Sequence, residues 1–438
     1  MKGMIFMLKK LASVLLSGIV LASCIPLSAV YAESETAVWD GSADVFWYDD
    51  NETVFHISTA EELAGLAKLV NGGNDFADKT VYLDNSIYLN DVTDIDNLYE
   101  TPLENVWTPI GYNSNNRFSG NFDGQNNEIS GIYAGNSYSG LFGIVHGGTV
   151  KNITVKESVI VGDNVGGIAG YADGYATFAN VCNYADIHNY VDKDVIYLGG
   201  IVGRIGINCN IIYAQNYGNI EYYGSLSRPY AGGITGYSSD SNIENCVNYG
   251  DIVCKSHSPT VAGIAYMTEG TIKNCYNFGN LYSNVFAYGI GYYANNLESC
   301  YNVGNITSDY RSYGIGYASN ISNCYYLNTS CDKGSSGSVD TIANPNQAAM
   351  QKASFAKTLG DAFVYVEGDY PKLAWQVDGF AMGDVNYDWV VNVADAVLLS
   401  KYLLGDYQYT EDEWKRSDID RDGVVDCFDM IEMRKKIS

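Results

Sequence analysis

The chain has 438 residues, of which 47% are hydrophobic, so it is long enough for two or three domains with buried cores. Its 51 Asp and Glu against 25 Lys and Arg give a net charge of -26, which argues against nucleic-acid binding because phosphates need a basic face. With 46 Gly and 38 Tyr but only 7 Pro, the composition favours short strands joined by tight turns.

The N-terminus has the three parts of a secretory signal peptide. A basic segment at residues 2–10 precedes an apolar stretch, and Val30-Tyr31-Ala32 supplies the small residues of a cleavage site. Residues 1–32 are therefore predicted to be removed and the mature protein to be secreted. Leu21-Ala22-Ser23-Cys24 also resembles a lipobox, which leaves lipidation of Cys24 as an alternative. No later stretch reaches 18 apolar residues, so we predict no membrane span.

An amphipathic helix is predicted next, as an N-terminal cap. Ser58 and Glu61 have the spacing of a capping box. The apolar face of this helix would consist of Leu63, Leu66, Leu69 and Val70. A strand over residues 80–89 should follow the helix.

The middle of the chain is built from repeats. A Gly-Gly-Ile-x-Gly phrase begins at 166, 199 and 232, and degenerate copies centre on Gly289 and Gly314, so the spacing shrinks from 33 to 25 residues. A second phrase follows each copy and usually begins with cysteine, at Cys182, Cys246, Cys275, Cys300 and Cys324, with Ala214 in one copy. The repeats lack the long apolar stripe, with a period of 3.6 residues, that a helical repeat needs. They predict a mainly β fold, a right-handed parallel β-helix in which each repeat forms one coil.

The repeated cysteines are expected to form an inward stack of buried thiols rather than disulfides, because nine cysteines would remain after signal cleavage and one position holds alanine. A C-terminal cap is predicted over residues 346–375, with a short helix ending at Leu359 and an extended stretch at 362–366.

The order of these phrases resembles that in bacterial surface proteins of the GLUG-repeat type. The matching segments are HISTAEEL at 56–63, WTPIG at 107–111, FSGNFDG at 118–124, GLFG at 140–143 and the closing YPKLAW at 370–375. The resemblance covers about residues 53–376 and implies a β-helical stalk or display module, but no activity. We place the whole repeat domain, with its caps, at residues 33–376.

Two acidic twelve-residue loops end the chain, beginning at Asp384 and Asp418. Each has oxygen ligands at positions 1, 3, 5, 9 and 12 and a backbone carbonyl at 7, the pattern of a calcium loop. The predicted ligands are Asp384, Asn386, Asp388, Val390, Asn392 and Asp395 in the first loop, and Asp418, Asp420, Asp422, Val424, Asp426 and Asp429 in the second. Two Ca²⁺ sites are therefore predicted.

The first loop departs from the pattern at position 6. Trp389 stands where the second loop has Gly423, and this position usually needs a positive φ, which is costly for a bulky residue. We expect a weaker or distorted first site, and tighter calcium binding when Trp389 is replaced with Gly.

Each loop leads into a predicted helix, about 393–404 and 427–436. Two loop–helix copies offset by about 34 residues resemble a type I dockerin over residues 383–438, behind a linker at 377–382. The resemblance implies docking to a cohesin module of a scaffold protein, as in a cellulosome. The corresponding recognition positions are Val393, Ala394, Ser400 and Lys401 in the first copy, and Cys427, Phe428, Arg434 and Lys435 in the second.

Two functions remain open for the repeat region. It could display a surface for plant cell-wall polysaccharide or another partner, with repeated tyrosines as an exposed ladder or as core: Tyr171, Tyr237, Tyr266, Tyr292 and Tyr317. Alternatively it is a lyase or glycoside hydrolase with its site across several coils. No catalytic residues are assigned, because no histidine motif or nucleophile motif is visible, so the first function is favoured.

Overall fold

The computed structural model describes residues 38–92, 104–225, 228–266, 269–335 and 343–437. The predicted signal peptide and Cys24 lie outside these residues. None of the described helices is both long and apolar enough to cross a membrane.

A parallel β-solenoid of about nine turns forms most of the described chain, as the repeats predict. The broadest sheet comprises Val54–Ile57, Thr80–Leu83, Ile87–Tyr88, Asn121–Ser130, Phe142–His146, Thr149–Lys156, Ala169–Asp173, Thr177–Asn183, Val202–Ile205, Asn210–Ile212, Gln215–Asn216, Thr235–Ser238, Asn242–Glu244, Val247–Asn248, Ala265–Tyr266, Thr271–Lys273, Tyr276–Asn277, Gly291–Glu298, Tyr301–Asn302, Gly316–Ser322 and Tyr325–Tyr326. A second sheet comprises Tyr133–Ser139, Val159–Gly166, Val195–Gly199, Arg228–Gly232, Thr260–Ala262, Phe286–Tyr288 and Arg311–Tyr313. A third comprises Ile187–Asn189, Ile220–Tyr222, Ile252–Cys254, Leu281–Ser283 and Ile306–Ser308. The handedness of the coil stays a prediction.

Equivalent residues of successive repeats stack on one another, because each repeat makes one coil. Gly199 pairs in register with Gly166 below it and Gly232 above it. The isoleucines that follow these glycines point into the core and are fully buried: Ile168, Ile201, Ile234, Ile264, Ile290 and Ile315. The stack of coils, rather than any single coil, therefore buries the apolar face of each repeat.

A buried asparagine ladder runs beside this core. Each side-chain amide donates to the amide oxygen of the next coil, at 2.9 Å from Asn183 to Asn216 and 2.8 Å from Asn216 to Asn248. The ladder continues through Asn277 to Asn302, with distances of 2.8 and 2.7 Å. Buried amides are costly unless they are hydrogen-bonded, so this ladder fixes the register between coils.

Four of the repeated cysteines, Cys246, Cys275, Cys300 and Cys324, form the expected thiol stack. The expectation was wrong for Cys182, which pairs with Gln215 and so lies one position out of register with the stack, in the lining of a surface cleft. Cys246, Cys275, Cys300 and Cys324 are free and buried, and Cys182 is free and half-buried. Burial raises the pKa of Cys182 to about 12 and raises the pKa values of Cys275, Cys300 and Cys324 as well. Cys275, Cys300 and Cys324 therefore stay protonated, and the stacked cysteines serve as small apolar side chains.

Both ends of the solenoid are capped, with small differences from the sequence prediction. Helix α1 (Ala60–Asn71) begins one residue later than expected, because Thr59 and Glu62, rather than Ser58 and Glu61, form its capping box. The strand predicted over 80–89 is split into Thr80–Leu83 and Ile87–Tyr88. The C-terminal cap comprises α2 (Gln347–Met350), α3 (Ala353–Leu359), the antiparallel pair Phe363–Val364 and Lys372–Leu373, and α4 (Ala374–Asp378).

The C-terminal region is a small helical unit. Its helices are α5 (Val393–Leu403), α6 (Glu411–Ser417) and α7 (Cys427–Ile437), and α6 was not expected from the sequence. Its buried apolar residues are Val385, Leu399, Ile419, Val425 and Met433. Val397 and Leu403 of α5 are exposed although both are apolar.

Candidate calcium-binding and docking site

The last residue of each acidic loop holds the loop closed. In the first loop, Asp395 accepts hydrogen bonds from the backbone N–H groups of Val385 at 2.8 Å and Asn392 at 2.9 Å. In the second, Asp429 accepts from Ile419 and Asp426 at 2.7 Å each. The two loops therefore have the same internal bonding, which supports the duplication seen in the sequence.

The second loop has the donor set that a hard cation requires. Carboxylate oxygens of Asp418, Asp420 and Asp422 lie within 4.8 Å of one another. One oxygen of Asp418, Oδ1, is buried and has no hydrogen-bond partner among the described residues. An unpartnered buried carboxylate oxygen beside two further carboxylates fits Ca²⁺, which binds six to eight oxygens. Calcium would neutralise the mutual repulsion of the three carboxylates.

The first loop holds its leading carboxylate more tightly. Asp384 is fully buried, and its Oδ1 accepts from the N–H of Asp388 at 3.0 Å. The guanidinium of Arg416, on α6, donates to Oδ2 at 3.0 Å and lies over the ring of Tyr387. Burial raises the pKa of Asp384 to about 6, although Arg416 acts in the opposite direction. These oxygens also fit calcium, which would compete with Arg416 for Asp384.

Trp389 adopts the backbone conformation that its position requires. Its φ is +66°, close to the +86° of Gly423 in the second loop. The residue at position 4 also has nearly the same backbone φ in the two loops, +64° at Tyr387 and +61° at Arg421. The Trp389 side chain is only 7% exposed. A weaker first site stays a prediction, but its backbone has the same left-handed residues as the second.

The predicted partner-binding residues lie on the surface of α5 and α7. Ser400 is half-buried, and the other seven are exposed: Val393, Ala394, Lys401, Cys427, Phe428, Arg434 and Lys435. Val393 and Phe428 expose 64% and 59% of their surface although both are apolar. Exposed apolar side chains rimmed by cations are typical of a protein–protein interface.

The repeated tyrosines mostly pack on one another. The ring of Tyr266 is buried between Tyr230, at a centroid distance of 4.3 Å, and Tyr292, at 5.5 Å, with nearly parallel planes. Arg204 takes the place of a ring between Tyr171 and Tyr237. Because these ring faces cover each other, they leave little flat aromatic surface for a sugar.

A polar cleft of about 230 Å³ was not visible in the sequence. Its lining includes Asn126, Glu128, Asn152, Lys156 and Tyr184. Lys156 forms a 2.6 Å ion pair with Glu128 and lies over the exposed ring of Tyr184. Arg416 was also missed, since only the fold brings α6 against the first loop.

Comparison with known proteins supports the interpretation of the C-terminal region. Residues 382–438 match the family model of the dockerin type I domain. No match is found among curated proteins. Among solved structures, a candidate immunoglobulin A1 protease from Bacteroides ovatus is similar, with 15% identity and a TM-score of 0.45 over 75% of this chain and 94% of that chain. The chain thus carries a dockerin type I domain at its C-terminus, behind a parallel β-solenoid.

Proposed function

We propose that this protein is a secreted component of a cellulosome-like assembly, attached through calcium-dependent binding of its dockerin domain to a cohesin module of a scaffold protein. The observation that carries the proposal is the duplicated acidic loop, each copy followed by a helix with exposed apolar and cationic side chains. Dockerin domains bind calcium and imply a cohesin partner. The β-solenoid would then be the part that the assembly displays.

The docking proposal is tested with the full chain and an immobilised type I cohesin. Binding should be lost in EDTA and return with added Ca²⁺. Replacing Asp420 with Ala should weaken binding at least tenfold, because the second loop loses a carboxylate ligand. Phe428→Ala should weaken it similarly, whereas Tyr310→Ala, a truncation of an equally exposed aromatic on the solenoid, should leave it unchanged. Binding that persists in EDTA would contradict the proposal.

We propose further that the solenoid binds polysaccharide in the polar cleft beside Tyr184. Amide, carboxylate and ammonium groups converge there beside the exposed edge of the Tyr184 ring, which stacks on Tyr217 and lies under the Lys156 ammonium. A sugar would therefore be positioned mainly by hydrogen bonds, with contact to the ring edge. The GLUG-type resemblance also favours a surface module of this kind.

Pull-down on insoluble plant polysaccharides provides the test for this cleft. The full chain should be retained, and Tyr184→Ala should reduce retention severalfold. Tyr190→Ala, another exposed tyrosine outside the cleft, is the matched control. Release of reducing sugars or unsaturated uronates during the incubation would instead support the alternative, a polysaccharide-degrading enzyme.

A further inference from the structure

Trp389 projects from the first calcium loop into the flank of the solenoid. Its ring centroid lies 5.3 Å from that of Tyr213 and 6.2 Å from that of Trp375. Its indole Nε1 donates a 2.7 Å hydrogen bond to Oδ1 of Asn152, 237 residues earlier in the chain. Tyr213, Trp375 and Asn152 together form what we call the seat of this side chain. The two rings contact the indole, and the amide of Asn152 accepts a hydrogen bond from its one polar atom.

The seat is a local departure from the repeat. At one corner of the solenoid, successive coils place a residue with left-handed φ, and most of these residues are asparagines: Asn152, Asn180, Asn245, Asn274 and Asn323. Tyr213 occupies this corner between Asn180 and Asn245, with φ of +55°. The substitution provides an aromatic surface at the coil that Trp389 contacts. Asparagine would leave Trp389 without that surface.

Further contacts join the same two parts of the molecule. The Lys151 ammonium donates to the carbonyl of Tyr387, at position 4 of the first loop, over 3.4 Å. Arg421 of the second loop forms a 2.6 Å ion pair with Asp378 at the end of α4. By its contacts, Val38–Ser438 forms one compact unit. The dockerin domain therefore packs on the solenoid through the loop that is expected to hold calcium.

The strained conformation of Trp389 links these contacts to calcium. A bulky residue with positive φ persists only where its surroundings hold it there. Calcium coordination around the loop requires the positive φ at position 6, and the seat on Tyr213 and Asn152 requires the same backbone conformation to direct the indole outward. Calcium binding to the loop and packing of the indole on the solenoid favour the same backbone conformation. Each must therefore strengthen the other.

We propose that Trp389 is a latch through which calcium occupancy of the first loop and docking of the dockerin domain onto the solenoid support each other. The proposal rests on the calcium binding of the first loop that is part of the proposed function. It also accounts for tryptophan at position 6 of the first loop. The contacts with Tyr213 and Asn152 offset the strain of its positive φ, which would otherwise weaken the calcium site.

The test uses the full mature chain in an Asp420→Ala background, in which the first loop alone keeps its ligand set. Tyr213→Asn restores the residue that neighbouring coils carry, so the solenoid should fold normally. Calcium titration by calorimetry should show about tenfold weaker binding than in the background protein. The reason is that Trp389 keeps its unfavourable positive φ but loses its contact with the ring of Tyr213. Tyr293→Asn makes the same change at an exposed residue with φ of +66° outside the interface and should not alter the affinity.

A double-mutant comparison completes the test. In a Trp389→Gly chain, Tyr213→Asn should have no effect on calcium affinity, since glycine adopts positive φ without support. Unchanged affinity in Tyr213→Asn alone would overturn the latch while leaving calcium binding intact. A background protein whose first loop binds no calcium would overturn both the latch and the prediction of two calcium sites, while the docking itself is tested separately on cohesin.

Discussion

At the scale of single residues, the two acidic loops share a backbone conformation and differ in how their carboxylates are held. Asp384 is buried beside Arg416, whereas Asp420 and Asp422 of the second loop are exposed. The environment of the carboxylates, and not their spacing along the chain, therefore distinguishes the two loops. The ligand pattern is readable from sequence because oxygen-bearing residues alternate in a short loop. The Arg416 contact was not readable, since it depends on the placement of a helix that the sequence did not predict.

The burial of Asp384 predicts a specific dependence of stability on pH. Its pKa is raised from 3.8 to about 6, so without calcium the folded state binds a proton more tightly than the unfolded state. The resulting contribution to the free energy of unfolding is fully present below pH 3.8 and is lost as the pH rises through about 6.

Replacing Asp384 with Asn should remove that dependence. Because the shift is about two pKa units and the carboxylate is fully buried, the variant should gain up to about 3 kcal/mol relative to the parent between pH 4 and pH 7.5 in EDTA. Calorimetric unfolding at several pH values measures this difference. Asp412→Asn, at an exposed carboxylate on α6, should follow the parent curve, and parallel curves for Asp384→Asn and the parent would contradict the prediction.

At the scale of elements, the asparagine ladder connects coil to coil. Asn248 accepts from Asn216, and its amide donates to both Asn277 and the carbonyl of Gly250. The recurrence of the second repeat phrase, which usually begins with cysteine, predicted a stack of equivalent residues. The pattern did not show the hydrogen-bond partners within the stack, which the register between coils determines.

Truncating the ladder should cost more than truncating an exposed asparagine. Asn248→Ala leaves the amide of Asn216 without its buried acceptor and the carbonyl of Gly250 without its donor, so we expect a loss of about 2–4 kcal/mol in the free energy of unfolding. Chemical denaturation followed by circular dichroism measures it. Asn320→Ala, at an exposed cross-coil amide, should change stability by less than about 1 kcal/mol, and equal losses would refute the ladder's role.

At the scale of the whole molecule, periodicity in the sequence predicts one coil per repeat, and the acidic loops predict the dockerin domain. Both predictions succeed because each depends on residues close in the chain or repeated at a fixed spacing. The packing of the dockerin domain on the solenoid depends instead on Trp389 and Asn152, which are far apart in sequence and belong to no shared pattern. The polar cleft could not be predicted for the same reason, because its lining comes from four successive coils.

The distribution of the cysteines makes this protein suited to chemical labelling. Of the free thiols in the described chain, Cys427 is the exposed one, and it lies among the residues expected to contact cohesin. A maleimide dye should therefore attach first at that position while the stacked thiols inside the coils stay unreacted. The dye would then report partner binding by its emission, and later uptake of reagent by the inner cysteines would report opening of the coils.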